Sequence, residues 1–302
     1  VRTSFDGWRF YDSCIGETRG MTIHMKELNV KNLFNLNGKV AIITGGAQGL
    51  GLQACQALAE AGSDIVLTSR TIEKSQNAAY QLSTSQNVKA LGLSLDVTSE
   101  NSWNQLVDGI LEAFGRIDIL INNAGGRRVS VDKTNRMEPG DLFLEGRSLA
   151  DWQYTMDVNL TGVFLGCRAV APVMKKARSG KIINLASIDG IRARDLRIYK
   201  DTGLSPTVPD YLACKAGVIN LTKGIAVALA PYGINVNAIS PGGFFRGQPE
   251  EFVKNYEYKV PLGRMGRDGI DLKGAVVFCA SAASDYMVGH NLVIDGGFTI
   301  WS

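Results

Sequence analysis

From Lys39 onward, short runs of β-branched and apolar residues alternate with longer stretches in which apolar residues recur every three or four positions. The runs "KVAIIT", "SDIVLTS", "VKALGLSL", "IDILI", "KIINLAS", "INVNAIS" and "NLVI" read as strands. Between them, "GLGLQACQALAEAG", "TIEKSQNAAYQLS", "SENSWNQLVDGILEAFG", "LADWQYTMDVNLTGVFLGCRAVAPVMKKA" and "YLACKAGVINLTKGIAVALAPYG" carry helical spacing. Regular alternation of strand and helix predicts an α/β fold, a parallel and doubly wound sheet with helices on both faces. Coverage on both faces also explains why the strands are continuously apolar rather than alternating. No composition break or internal repeat divides residues 37–302, which read as one domain behind an extension spanning residues 1–36.

Composition narrows the function classes. At 302 residues and 45% hydrophobic, the chain has enough apolar material for a large core. A formal net charge of +3 is too balanced to make nucleic acid or an anionic membrane the main partner, so a small molecule is expected. With only His24 and His290, there is little raw material for a His/Cys zinc site or a Ser-His-Asp triad, and no metal is expected. The cysteines, Cys14, Cys55, Cys167, Cys214 and Cys279, form no C-x-x-C pair and fit reduced thiols. No uninterrupted apolar run approaches the roughly 20 residues that span a bilayer, and the first 35 residues lack a signal-peptide core, so a soluble, cytoplasmic protein is expected. Residues 1–20 read as an upstream extension, with Met21 or Met25 as a natural start.

Directly after the first strand comes "TGGAQGLG", in which Gly45, Gly49 and Gly51 open a helix. Unpaired N–H groups at a helix N-terminus, with no side-chain bulk in the way, suit a pyrophosphate. The acid that would bind a ribose about 20 residues further on is missing, and Ser69 and Arg70 stand in its place. A carboxylate there would repel a 2′-phosphate, whereas Arg70 pairs with one and Ser69 donates to it, so NADP(H) is expected over NAD(H), which remains possible.

The stretch "DYLACKAG" puts Tyr211 and Lys215 four positions apart, on one helical face. With "LDVT" (Asp96, Val97), "NNAG" (Asn122 to Gly125), Asn159 in "MDVNLTGVF", Ser187 in "INLASIDG", "SPGG" and "DGG" in that order, nearly all of residues 37–302 resembles the short-chain dehydrogenases/reductases of the classical type. The resemblance implies a single-domain Rossmann fold and a catalytic tetrad of Asn159, Ser187, Tyr211 and Lys215. It also implies a cofactor site made from Gly45, Gln48, Gly49, Leu50, Gly51, Ser69, Arg70, Asp96, Val97, Asn123, Ala124, Gly125, Tyr211, Lys215, Pro241 and Gly242. By the same pattern, hydride passes between a nicotinamide and a carbonyl carbon while Tyr211 exchanges a proton with the oxygen and Ser187 holds that oxygen. Lys215 would bond the nicotinamide ribose, and Asn159 would hold a helix distortion and a water leading from Lys215 to solvent. A phenol with pKa near 10 is a poor base at neutral pH, and bringing it near 7 asks for roughly 4 kcal/mol from nearby positive charge.

Two departures stand out. Ser187 and Tyr211 are 24 positions apart, wider than the family's usual interval, so "RARDLRIYKDTGLSPTVP" reads as an insertion over the mouth of the site. Tyr199 falls near the usual interval, but Gly203 follows it where a lysine would be needed, and Tyr211 is therefore assigned. Where the family often has a cofactor-contacting threonine, this chain has Arg246.

Three stretches should wall the substrate cleft: "GGRRVSVDKTNRMEPGDLFLEGRS", the insertion, and "GGFFRGQPEEFVKNYEYKVPLGRMGR". The first two carry Arg127, Arg128, Lys133, Arg136, Arg192, Arg194 and Arg197, which either receive a carboxylate or polyol substrate or stay solvated. The third reads as a mobile lid, with Phe244 and Phe245 excluding water. The wording resembles the gluconate 5-dehydrogenase-like sugar and polyol branch. A 3-oxoacyl-carrier-protein reductase and a non-catalytic dinucleotide sensor are the alternatives. The two longest helices and the apolar C-terminus resemble the family's subunit contacts, so a homotetramer or homodimer is expected.

Overall fold

The computed structural model describes residues 29–126 and 144–301. Its seven strands are β1 (Val40–Ile43), β2 (Asp64–Ser69), β3 (Ala90–Ser94), β4 (Ile119–Asn122), β5 (Gly180–Leu185), β6 (Ile234–Pro241) and β7 (Asn291–Ile294). They form one sheet in the order β3-β2-β1-β4-β5-β6-β7, every neighbouring pair parallel. All seven runs read as strands from the sequence are strands.

Side chains along each strand divide between two apolar layers, as the two-residue repeat of a strand requires. In β1, Val40 and Ile42 join one core cluster while Ala41 and Ile43 join the other. The first cluster packs on α3 (Glu100–Phe114), α5 (Gly162–Ala177) and α6 (Pro209–Leu229). The second packs on α1 (Gly49–Glu60), α2 (Ile72–Ser85) and α8 (Lys273–Ala280). Leu36, just ahead of β1, is buried in the second layer and donates its N–H to Ala61 O at 2.9 Å. The expected extension over residues 1–20, and Cys14 within it, lie outside the described residues; Cys55, Cys167, Cys214 and Cys279 are buried free thiols.

The long helical pattern over residues 149–177 is not one helix. It divides into α4 (Leu149–Met156), a π turn at Asp157–Thr161, and α5. Two helices lie where the sequence reading placed none, α7 (Glu250–Glu257) and α8. The α7 helix corrects the expectation of a loose lid. Phe252 and Tyr256 anchor it in a third apolar cluster, and Phe244 is itself buried against the second core layer, its backbone bridged to Gly266. Phe245 is exposed, and within this stretch it is Phe252 that lines the cleft.

The segment Pro209–Tyr232 is long and apolar enough to cross a membrane. It carries buried Asp210, paired with Arg147, and buried Lys215, which donates to Leu185 O of β5, as a core helix does.

Candidate active site

Because every strand is parallel, the carboxyl ends of β1 to β6 open on one edge, and strand order reverses between β1 and β4. Such a switch point leaves a crevice, since the connections on either side depart in opposite directions. A cleft of about 960 Å³ lies there.

Its floor is the glycine turn. Gln48 precedes α1 in an extended conformation without a side-chain cap, so no side chain of the turn takes up the first N–H groups of that helix. Gly45 and Gly49 have φ of +63° and +58°, which L side chains rarely adopt. A Cβ on Gly51 would stand 2.3 Å from Gly45 O, so only glycine permits this closeness. The Asn-Asn-Ala-Gly stretch after β4 braces the turn. Asn123 and Ala124 donate their N–H groups to Thr44 Oγ1, each at 2.9 Å, and Asn123 Nδ2 donates to Thr44 O at 2.8 Å. The Asn123 side chain is thus a strut as well as a lining residue.

At the tip of β2, Ser69 Oγ accepts the N–H of Thr71 at 3.1 Å, and exposed Arg70 reaches Tyr154 of α4, donating from Nη1 at 3.2 Å. Lys74, in the first turn of α2, lines the same end of the cleft. Neither Lys74 nor Tyr154 was singled out from sequence, although Lys74 stands four positions after Arg70. Asp96 and Val97 line the adjoining wall, with Asp96 Oδ1 accepting from Thr98 N and Oγ1. Arg246 lies over the glycine turn from the far side. Its Nη1 stands 3.2 Å from where a Cβ on Gly49 would be, and its Nε donates to Asp268 Oδ1 at 2.8 Å. Gly45, Gln48, Gly49, Leu50, Gly51, Ala124, Gly125, Pro241 and Gly242 all line the cleft. An uncapped helix start, a glycine cradle and two cations at one end are a donor set that fits a phosphorylated dinucleotide.

At the other end stand Ser187, Tyr211 and Lys215. Ser187 ends the chain run out of β5 and caps a one-turn helix, its Oγ accepting from Asp189 N at 3.1 Å. That leaves its hydroxyl proton available to another acceptor. Tyr211 and Lys215 share a face of α6, with Lys215 Nζ 5.5 Å from the Tyr211 ring centroid. Lys215 is buried and donates to Leu185 O at 2.7 Å. Burial pushes its amine down to about 8, against the opposing pull of Cys214 and Asp189. A Cβ on Gly190 would stand 2.4 Å from the carbonyl carbon of Lys215, so the Ser187 turn fits against the helix only because position 190 is glycine.

Asn159 is fully buried within the π turn and is not part of the cleft wall. Its Nδ2 donates to Thr155 O at 2.9 Å and to Gly126 O at 2.6 Å, tying the wound-out turn to the loop after β4. The helix distortion implied at Asn159 is therefore present.

Sequence reasoning missed the clamp that sets the start of α6. Buried Arg147 donates from Nε to Asp210 Oδ1 at 2.9 Å and from Nη2 to Asp210 Oδ2, and also from Nη2 to Thr155 Oγ1 at 3.0 Å. Asp210 directly precedes Tyr211, and an Arg and an Asp 63 positions apart give no local signal.

The inserted residues fold back over the site. Arg194 Nε donates to Asp189 Oδ1 at 2.6 Å, and Nη1 donates to Tyr199 Oη at 3.2 Å. Burial works against the charge on Arg194, but Asp189 and the neighbouring Tyr199 and Tyr256 outweigh it and hold the guanidinium firmly protonated. Tyr199 is buried against Phe252, engaged through its hydroxyl with Thr207 as well. The expected surplus of cations is smaller than it looked. Arg197 pairs with Asp195, and Arg192 donates to Trp301 O. Arg127, Arg128, Lys133 and Arg136 lie outside the described residues.

A doubly wound parallel sheet, a phosphate-fitting glycine turn at its switch point and a Tyr-Lys pair beside a serine define a nucleotide-dependent oxidoreductase of the Rossmann type. The chain belongs to the short chain dehydrogenase family, which it matches over residues 39–248. It is 35% identical over 262 residues to a 3-alpha-(or 20-beta)-hydroxysteroid dehydrogenase of Mycobacterium tuberculosis, covering 87% of this chain and 90% of that one. It is 33% identical over 277 residues to the 5-keto-D-gluconate 5-reductase of Escherichia coli, covering 90% and 99%. A gluconate 5-dehydrogenase from Burkholderia cenocepacia, solved in complex with NADP and tartrate, superposes with a TM-score of 0.79 at 34% identity, covering 91% of this chain and 100% of that one.

Proposed function

We propose that this chain interconverts a carbonyl and a secondary alcohol on a sugar, polyol or keto-acid, using NADP(H) in preference to NAD(H). The observation that carries this reading is the convergence of Ser187, Tyr211 and Lys215 on the cleft that the glycine turn floors. A nicotinamide dinucleotide held by the glycine turn and the β2 tip would supply or accept the hydride. In reduction Tyr211 gives its phenolic proton to the carbonyl oxygen, and Ser187 donates a hydrogen bond that fixes the same oxygen. Lys215, on the same helical face, favours the phenolate through its charge and returns the proton toward solvent. Asn159 acts one step removed, by holding the π turn that faces Lys215's helix.

The preference for NADP(H) is supported by the tip of β2. Arg70 and Lys74 stand there where a ribose-binding carboxylate would otherwise be, and Arg70 is turned across the cleft toward Tyr154 rather than away from it. A charge-assisted contact of roughly 1.5 to 3 kcal/mol gives about a 10- to 150-fold preference.

The test is a fluorescence titration of the purified chain with NADPH and NADH, followed by reduction assays on keto-sugars, 5-keto-gluconate, simple ring ketones and an acetoacetyl thioester. NADPH is expected to bind about 10-fold or more tightly than NADH. Tyr211→Phe is expected to lose about 10²- to 10⁴-fold in turnover while keeping NADPH affinity. Full turnover in Tyr211→Phe would remove the acid/base assignment, and turnover of the thioester alone would move the chain to the acyl-carrier branch.

A further inference from the structure

At the end of the cleft beside Ser187, three residues of the inserted segment close a polar ring on Asp189. Asp189 Oδ1 accepts from Arg194 Nε at 2.6 Å, Arg194 Nη1 donates to Tyr199 Oη at 3.2 Å, and Tyr199 Oη lies 3.1 Å from Thr207 Oγ1. Thr207 Oγ1 in turn approaches Asp189 Oδ2 at 3.5 Å, closing the circuit. All four residues line the same cleft as Ser187 and Tyr211, and Asp189 lies two positions past Ser187. Beneath the ring, Ile188, Ile198, Phe252 and Tyr256 form an apolar bed, with the Arg194 guanidinium 5.9 Å over the Tyr256 ring.

This arrangement has a charge and a donor count that bear on what it can accept. A guanidinium has five N–H donors, of which Asp189 and Tyr199 take one each, leaving three without a partner among the described residues. An apolar substrate group pressed against them would strip their water and return nothing. A carboxylate would gain from Arg194 but would approach Asp189 as well, whose charge cancels that of Arg194. A hydroxyl satisfies the ring without either cost, because it both accepts from an N–H and donates to an oxygen.

We propose that Asp189, Arg194, Tyr199 and Thr207 form a hydroxyl-reading subsite that selects neutral, hydroxylated carbonyl substrates over both carboxylated and plain ketones. This inference rests on the carbonyl–alcohol reading above and narrows it within the sugar, polyol and keto-acid class. It assigns the insertion a task, which is to read the part of the substrate remote from the reacting carbon. Tyr199, set aside as the acid catalyst, becomes a specificity-determining residue.

The experiment compares kcat/KM with NADPH for cyclohexanone, its 2-, 3- and 4-hydroxy derivatives, and 4-oxocyclohexanecarboxylate, ketones of one ring size that differ in the remote group. At least one hydroxycyclohexanone is expected to exceed both cyclohexanone and the carboxylate by about 10-fold or more. In Arg194→Gln, and separately in Tyr199→Phe, the ratio of kcat/KM for that substrate to kcat/KM for cyclohexanone is expected to fall about 10- to 100-fold, mainly through KM, while NADPH affinity holds. Tyr199→Phe removes one hydroxyl and no volume, so it keeps the test open if Arg194→Gln fails to fold. A wild-type preference for the carboxylate or for plain cyclohexanone would overturn the proposal. So would an unchanged ratio in Tyr199→Phe and a folded Arg194→Gln, since a structural role would lower all substrates alike. Turnover with no hydroxyl preference defeats this subsite alone, whereas no turnover of any ketone or of the assays above defeats the carbonyl–alcohol reading with it.

Discussion

Lys215 carries its charge in a place that resists it. Buried beneath Tyr211, it has one hydrogen bond, to Leu185 O, and its amine is pushed down to about 8 from an ordinary value of 10.5. The unfolded chain therefore binds more protons than the folded one between about pH 8 and 10.5. Stability contributed by this group rises through that window, and the cost of about 3 kcal/mol is borne in full below it. In Lys215→Met the Tm relative to wild type is expected to be most favourable near pH 7 and to decline toward pH 10, because only the wild type gains from the rise. A pH-independent difference in parallel thermal melts would mean that the amine titrates normally. At this scale the sequence pointed to residues that do meet in the cleft and was silent about their supports. Ser187, Tyr211 and Lys215 could be read from spacing and family order, since each sits in a local motif. Asp189, Tyr199 and Thr207 reveal their ring only when an insertion doubles back on itself, and no periodicity encodes that.

Elements hold these residues in place through a few close contacts. The start of α6 is fixed by Arg147, whose fork takes both oxygens of an Asp210 that has no exposed surface. Arg147→Met leaves that carboxylate buried without its partner and is expected to cost about 3 to 5 kcal/mol in urea unfolding. The double variant Arg147→Met with Asp210→Leu should recover much of this, as removing both charges of a buried pair often does. A single variant within 1 kcal/mol of wild type would show that the pair does not anchor the helix. The strands were all legible because buried parallel strands announce themselves as apolar runs between turns. The helices were less so. The π turn at Asp157–Thr161 adds a residue to the winding without disturbing the apolar spacing, so residues 149–177 read as one helix. The helices Glu250–Glu257 and Lys273–Ala280 are eight residues each, too short for a repeat to stand out.

Over the whole molecule, part of the apolar surface that remains after folding lies on α5 and α6, the helices expected to carry subunit contacts. Val227 on α6 is 69% exposed and Phe164 on α5 is 43% exposed, on helices whose other faces fill the core. The composition that makes Pro209–Tyr232 long and apolar enough for a membrane equally suits a helix that a partner subunit covers on its second side. Sedimentation velocity is expected to give a dimer or tetramer, and Phe164→Glu with Val227→Glu to shift it toward the monomer; a monomeric wild type would refute this. The separation of supports has a different consequence. Ser187 hangs from β5, Tyr211 and Lys215 ride on α6, and the two meet through the backbone contact at Gly190, so their alignment rests on the sheet and that contact more than on the length of chain between residues 195 and 206. On the roles proposed above, that segment is in effect an exchangeable cassette: an ancestor, or an engineer, could lengthen, shorten or swap it and redirect the chain to new molecules while the proposed hydride-transfer residues stayed as they were.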